Sequence, residues 1–576
     1  PDSGDATGIH FENVDNLVGG SGNDTFTLQN GVTFSGTLDG ESGSDQLDLS
    51  DLTTAQAVAV TASTVDGFDG NSTVVTGGFF GIDEVIGSLA ITDSLKGLDV
   101  DSTWELDGSN RYIDNSGAVL TFSAFEELQG GSAGDNFEIT GTRANDLLGG
   151  DGDDTFIFQL AFSQVVGRVD GEAGSDTLNL SALTTQRVVT LTSTTVDGFA
   201  GTEASVTADF AGIDAIVGGF ADNDILNGLA TDSRWNINGP DQGTYTESPT
   251  ARVLAFSQIE NLNGNDGVDT FDFDNSATLT GSLTGGNGFD ALISDDARAS
   301  QTFIINGVNS GQFVTSAGLI IGGTFSDIET LIGAQGQDTF QFTNSGSLSG
   351  VIDGVGGTDE IVGDNDGNAF TVSNNDAGDL PDKINTAGLG ATGFINVEDL
   401  TGGAGVDTFN VNSLLVGNLD GRGGNDQFFF GATGSIGGTL VGGPGFDTLT
   451  GDDDGNLFNV EGNGALSAIG KGTLVTKTSE FRDIETLVGG AGSDTFSFNR
   501  LGSIIGTVDG AGGDNTLVGD DDGNNFTVSQ PNAGVLSGQI TAFTNIQNLE
   551  GGAADDTFNI NSSIDGNVSA FVGDDS

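Results

Sequence analysis

The sequence predicts an all-β protein, a parallel β-solenoid of about 22 residues per coil. Three observations predict it: a glycine-rich motif that returns at multiples of one length, short apolar alternations between its copies, and the absence of any 3.6-residue period. Of 576 residues 96 are Gly and only 6 Pro, with no Gly at every third position, which excludes collagen. Lys and Arg number 14 against 84 Asp and Glu, a net charge of −70. Phosphate binding needs clustered cations, so nucleic acid is not a partner, and an anionic membrane surface is disfavoured for the same reason. No apolar run approaches the roughly 20 residues of a spanning helix. Divalent cations are the partner this composition invites. With mean hydropathy near zero, so acidic a chain without bound ions lies close to the regime in which it buries too little to fold.

Cys is absent, so there is no disulfide framework and no thiolate metal chemistry. Met is absent too, and Pro1 is not followed by a signal-peptide pattern, so the expectation is a processed product or an excerpt of a longer polypeptide.

The repeat reads Phe-x-x-(Ile/Val/Phe), usually an acidic residue and Leu, then Gly-Gly-x-Gly-x-Asp-Thr-Phe. Clear copies start at Phe11, Phe325, Phe394 and Phe481. The opening Phe falls at 11, 79, 122, 210, 256, 325, 394, 481 and 543, and each interval is close to a multiple of 21 to 23. A second motif follows about one unit later, at Gly36, Gly167, Gly417 and Gly438. The motif aspartates then step by one unit: Asp24 to Asp45, Asp154 to Asp176, Asp269 to Asp290, Asp338 to Asp359, Asp407 to Asp426 to Asp447, and Asp494 to Asp514. Leu52, Phe68, Ile82 and Trp104 all return at one shared offset, as Leu183, Phe199, Ile213 and Trp235. The organisation expected is therefore a six-coil block at 1–140 and its copy at 141–255. Three-coil blocks at 256–324 and 325–393 follow, then a four-coil block at 394–480, a three-coil block at 481–542 and the start of another at 543–576. Around both Trp residues and Gly239–Pro249 the pattern loosens, and longer coils with loop insertions are expected there.

Within a unit, runs such as Thr495-Phe496-Ser497-Phe498 and Val188-Val189-Thr190-Leu191 alternate with period two, which predicts short strands separated by glycine turns with positive φ. The Phe-x-x-Ile-x-x-Leu segment reads as a bend between two strands, with a single helical turn as the competing reading. Strands this short cannot hold a hairpin domain together but can pair in parallel with the same strand one coil away. At a strand spacing of about 4.8 Å, about 26 coils make a rod about 125 Å long. The 39 Phe residues predict a stacked interior.

The turns Gly19–Asp24 (GGSGND), Gly149–Asp154 (GGDGDD) and Gly489–Asp494 (GGAGSD) resemble the nonapeptide G-G-x-G-x-D-x-U-x of the RTX (repeats-in-toxin) exoproteins. The resemblance implies calcium bound between stacked turns, export of an unfolded chain and an extracellular location. Here one glycine-rich turn occurs per coil of about 22, where that family repeats nonapeptides in tandem. The longer coil looks more like the β-solenoid shafts of large bacterial surface adhesins. Turns such as Gly264-Asn265 and Gly333-Ala334 depart from the pattern.

The candidate metal ligands are Asp24, Asp45, Asp154, Asp176, Asp269, Asp290, Asp338, Asp359, Asp407, Asp426, Asp447, Asp494 and Asp514. Stacked carboxylates about 5 Å apart repel by about 0.8 kcal/mol in water and about 3 kcal/mol at an effective dielectric of 20, and a bridging calcium ion reverses that sign. The competing reading is that each Asp forms an Asx turn on its own backbone amides. A second acidic set, Asp364/Asp366/Asn368, Asp452/Asp454/Asn456 and Asp520/Asp522/Asn524, alternates oxygen ligands before glycine but fails the EF-hand order, which leaves a solvated polar turn as the alternative.

No catalytic set is expected. His10 is the only histidine, and Lys471, Arg482 and Arg500 form no constellation beside paired acids. Trp104 and Trp235 are sugar-stacking candidates, although their shared offset favours core packing. The function expected is a structural, calcium-stabilised extracellular solenoid in an adhesin, surface layer or filament. Since both ends fall inside the repeat, head-to-tail self-association or continuation into neighbouring sequence is expected. The alternative is a polysaccharide-binding or polysaccharide-modifying β-helix, with a cell-surface or polysaccharide ligand as partner; an ice-binding face lacks its Thr-x-Thr ladder.

Overall fold

The computed structural model describes residues 3–6, 9–12, 14–294, 300–343, 345–385, 393–462, 470–499, 501–570 and 576, with side chains from residue 14 onward. Every regular element among them is a strand. The chain forms two compact units, Pro1–Phe271 with Ser276–Gly288 and Asp272–Asn275 with Phe289–Ser576. In each unit successive strands alternate between two sheets, and each strand pairs in parallel with its counterpart one wrap later, which is the predicted β-solenoid.

A simple coil advances the chain by one repeat. Leu17 pairs with Leu38 and Phe26 with Leu47, Leu147 with Val169, and Leu400 with Leu419. The period-two runs lie as their alternation requires: in Thr495–Asn499 Phe496 and Phe498 are buried, and in Val188–Thr194 Val189 and Leu191 are. The Phe481–Leu487 segment is a bend between the strands Thr478–Arg482 and Thr486–Gly490, not a helical turn.

Equivalent phenylalanines stack at the strand spacing of about 4.8 Å. Phe370, Phe409 and Phe428 lie face to face at 4.9 and 5.0 Å, Phe458 and Phe496 at 4.8 Å, and Phe526 and Phe558 at 4.9 Å.

One expectation is corrected. The longer intervals are not runs of simple wraps, because at eight places among the described residues the chain folds into a three-strand antiparallel zigzag inside a sheet. The strand Ala57–Thr64 is laid ahead, Gly67–Ser72 returns antiparallel to it, and Phe79–Ile82 completes the zigzag against Gly67–Ser72. Only then does the parallel ladder resume on both sides, Leu38 pairing with Phe79 and Val58 with Leu95. Such a wrap uses nearly twice the chain of a simple one, since Leu47, whose partner on one side is Phe26, pairs on the other with Val85. The following reversal, Ser102–Leu106 through Arg111–Asp114 to Val119–Ser123, lies in the other sheet, which evens the two sheets out. The cause is local: Thr64-Val65-Asp66-Gly67 and Thr195-Val196-Asp197-Gly198 close tight turns through Thr–Gly hydrogen bonds, and Gly67 supplies a φ of +128°.

The loosened stretches around the tryptophans are two of these reversals. Trp104 opens one and Trp235 its copy; both are fully buried, stacked on Phe137 and Phe271 at 5.6 Å and edge-on to Tyr112 and Tyr245. The tyrosine hydroxyls accept from the Leu98 amide at 2.8 Å and the Leu229 amide at 3.0 Å, and burial pushes both phenols up to about 12. Core placement leaves neither indole available to a sugar. Replacing Trp235 with Ala is expected to cost about 3–5 kcal/mol in urea unfolding; a loss below about 1 kcal/mol would contradict this packing.

Candidate functional site

The motif aspartates lie inside the coil rather than on the turn surface. Asp45, Asp154, Asp176, Asp359, Asp407, Asp426 and Asp447 are all 0% exposed. Along each run a carboxylate accepts the backbone N–H of its counterpart one wrap away, so the stack is a ladder running acid to amide. Asp24 N–H donates to Asp45 Oδ1 (2.8 Å), Asp154 to Asp176 (2.8 Å) and Asp338 to Asp359 (2.8 Å). Asp407 donates to Asp426 (2.7 Å) and Asp426 to Asp447 (2.7 Å). The predicted pairs within each unit are thus brought together, with one change of register. Asp494 donates to Asn515, and Asp514 lies exposed beside it, because the Gly-Gly-Asp-Asn turn seats the second polar residue inward. Asp269 and Asp290 fall in different units. Asp269 accepts from the Ser233 hydroxyl, and the Asp290 amide donates to Glu329 at 2.7 Å.

The ladder is not continuous. Four runs end at a reversal on the acid that follows Ile or Val in the first motif, Asp45 donating to Asp83, Asp176 to Asp214, Asp359 to Glu398 and Asp447 to Glu485, and the Asp494–Asn515 run ends on the neutral Gln547. Glu126 and Glu260 receive the amides of Asp93 and Asp224 in the same way. That acid belongs to the motif, and its place two residues before Leu, Val or Ile is the sequence signal for this role. Neutral rungs also occur, since Asn368, Asn456 and Asn524 donate to Asp407, Asp494 and Asp556.

The glycine five residues before each rung is explained by the carboxylate. A Cβ on Gly19 would sit 2.5 Å from Asp24 Oδ2, on Gly40 2.6 Å from Asp45 Oδ2, and on Gly442 2.7 Å from Asp447 Oδ2, inside van der Waals contact. Carboxylate and side chain compete for one space, hence Gly-x-x-x-x-Asp.

The turns then divide into two kinds. At Asp135, Asp338, Asp407, Asp494 and Asp556 the second carboxylate oxygen accepts the amide four residues earlier, at 2.6 to 3.0 Å. At Asp45, Asp154, Asp176, Asp359, Asp426 and Asp447 it is buried with no partner. In this second set the residue four before the rung is left-handed: Glu41, Gly150, Glu172, Val355, Arg422 and Gly443 have φ between 59° and 105°. In four of them its amide goes instead to an outward acid, Asp39, Asp170, Asp353 or Asp420, at 2.8 to 3.1 Å. Those outward acids, not the ladder residues, are the Asx-turn formers.

Burial raises Asp154, Asp176, Asp359, Asp426 and Asp447. It pushes Asp154 up to about 8 and Asp176, Asp359 and Asp447 to about 7, against the lowering pull of the amide each accepts and with neighbouring acids adding to the rise. Asp426 reaches about 6 for the same reason. An Asn keeps the acceptor oxygen and drops the charge. In chelator at pH 8, Asp426→Asn is therefore expected to match or exceed the wild type in stability, while Asp426→Ala, which strands the Asp407 amide, loses about 1–3 kcal/mol in chemical denaturation. Equal losses in both variants would overturn this account.

Among the described residues no three His, Cys, Asp or Glu side chains converge on one point. In the second acidic set the first Asp accepts the amide two residues on and the Asn reaches back to the Asp carbonyl, while the middle Asp faces outward; Asp452 and Asn456 are an example. Lys471 and Arg482 both pair with the half-buried Glu480, at 3.5 and 3.0 Å, a single acid rather than a pair. Arg500 and the side chain of His10 lie outside the described residues. No helix among the described residues is long and apolar enough to cross a membrane. No protein-family model matches the sequence, nor does any curated protein.

Proposed function

We propose that this chain is a structural segment of a large extracellular bacterial protein, an adhesin shaft, surface layer or filament, stabilised by calcium at its Gly/Asp-rich turns. The observation that supports it is the row of buried carboxylate oxygens without partners at Asp45, Asp154, Asp176, Asp359, Asp426 and Asp447, stacked on like-charged neighbours. Once ionised such a row needs a counter-charge, and calcium, a hard cation that takes oxygen ligands from carboxylates and backbone carbonyls, suits it. The likeness of the turns at Gly149 and Gly489 to RTX turns supports the same ion and an extracellular setting.

The reading is tested by calorimetry and circular dichroism of the full chain in chelator and in millimolar calcium. A rise in melting temperature with calcium is expected, and it should shrink in a variant carrying Asp→Asn at Asp154, Asp176, Asp426 and Asp447. Identical melting with and without the ion would sink the calcium assignment and leave the solenoid as a ladder of hydrogen bonds alone.

A further inference from the structure

Three reversals of the second unit begin with the same loop, Gly-Asp-x-Asp-Gly-Asn, and two of them carry a lysine back onto it. Lys383 Nζ pairs with Asp364 Oδ2, the lysine side chain 10% and the aspartate 0% exposed. Lys477 Nζ lies 2.6 Å from Asp452 Oδ2 and donates to the carbonyls of Gly431 (2.9 Å) and Ala432 (2.8 Å). Around Lys477 a tethered cation thus fills a nest of oxygens.

The third reversal keeps the main chain and has no lysine at the equivalent position. The Ile504 amide donates to Gln539 O, just as Ile436 donates to Lys477 O and Leu348 to Lys383 O. The residue at the lysine position is now Gln539, 9% exposed, with Oε1 buried and unpartnered. Asp520 Oδ2 accepts the Leu501 amide at 3.0 Å, and Leu501 holds a left-handed φ of 61° that its counterparts Ser345 and Thr433 do not share. A non-glycine residue adopts that conformation only against the clash of its Cβ with the backbone. Beside Asp520 opens a groove of about 670 Å³, edged by Glu461, Asp521 and Asp522.

We infer that a metal cation takes, in the third reversal, the place the lysine ammonium takes in the other two, held by Asp520 Oδ2 and Gln539 Oε1 and reached through the acidic groove. Two copies meet the buried carboxylate with a charge on the chain; the third replaces that charge with a neutral oxygen and leaves both oxygens to share a mobile ion. An all-oxygen donor set selects hard cations over transition metals. The inference stands apart from calcium on the ladder, which uses other residues.

Calcium titration of the full chain by calorimetry tests it, with circular dichroism confirming the fold of each variant. Gln539→Lys is expected to bind one calcium ion fewer than the wild type, Asp520→Asn likewise one fewer, and Lys477→Gln one more. Unchanged stoichiometry in Gln539→Lys and Lys477→Gln would overturn the inference. So would a wild type that binds no ion at this reversal. If the ladder binds no calcium, the wild-type total falls to this single ion and the difference between variants persists, so the two readings fail separately.

Discussion

In chelator, the stability of this protein is expected to fall as pH rises from about 5 to 8, the opposite of the usual behaviour of a protein held by paired carboxylates. The sign follows from the ladder. Asp154, Asp176, Asp359, Asp426 and Asp447 have folded pKa values of about 6 to 8, above the ordinary carboxylate value of 3.8. Between those limits the folded chain holds more protons than the unfolded chain. The stabilisation is complete below the unfolded value and disappears as pH climbs through the folded ones, at about 1.4 kcal/mol per pH unit for each extra proton held. Glu260, raised to about 7 by burial, acts in the same direction. Calcium, if it takes the place of those protons, should flatten the curve. Denaturant titrations at pH 5, 6, 7 and 8, with and without the ion, decide the matter; a chelated protein whose stability is flat or rising over that range would contradict the buried ladder.

The second large effect is expected from a single methyl group. Gly333→Ala places Cβ 2.5 Å from Asp338 Oδ2 and 2.9 Å from the carbonyl of Gly354 in the next wrap. Neither can yield cheaply, because Asp338 is held by the Ala334 amide and by its place in the ladder and the other atom is backbone. Overpacking of this kind costs about 1–3 kcal/mol, and breaking the rung adds about 1 kcal/mol more. Gly22→Ala is the control, since a Cβ there meets nothing within 4 Å and its φ is not left-handed. Urea unfolding of both variants should show a loss of about 3 kcal/mol for the first and little change for the second. Equal losses would mean that the glycines serve turn flexibility alone.

The solenoid, its short coil and its phenylalanine stack were legible because each rests on a repeated pattern: period two within a strand and one near-constant step between paired strands. The aspartate stack was legible for the same reason, down to the pairing of Asp24 with Asp45 and of Asp407 with Asp426. The reversals were hidden, because a reversed wrap such as Leu47 to Val85 is nearly twice a simple one and so passes as two coils. The inward direction of the ladder was hidden as well: a surface turn and a buried rung share the spelling Gly-Gly-x-Gly-x-Asp, and only the glycine five residues earlier records that the carboxylate lies inside. Asp514 and Asn515 show the limit of spacing, where one residue of slip moves the charge from the column to solvent.

The reversals also change how such a molecule can be assembled. A simple wrap is added like a bead on a string, each new strand finding its partner already in place. At a reversal the strand Ala57–Thr64 has to be set down two places ahead of the growing edge, with nothing beneath it until Gly67–Ser72 and Phe79–Ile82 fill the gap backwards. Growth one wrap at a time therefore stalls there, and the whole zigzag must zip shut in a single event before the next wrap has a template. Amide exchange should then release protection in packets bounded by the reversals rather than wrap by wrap, making each zigzag a ratchet that lets construction proceed and resists unravelling from a frayed end.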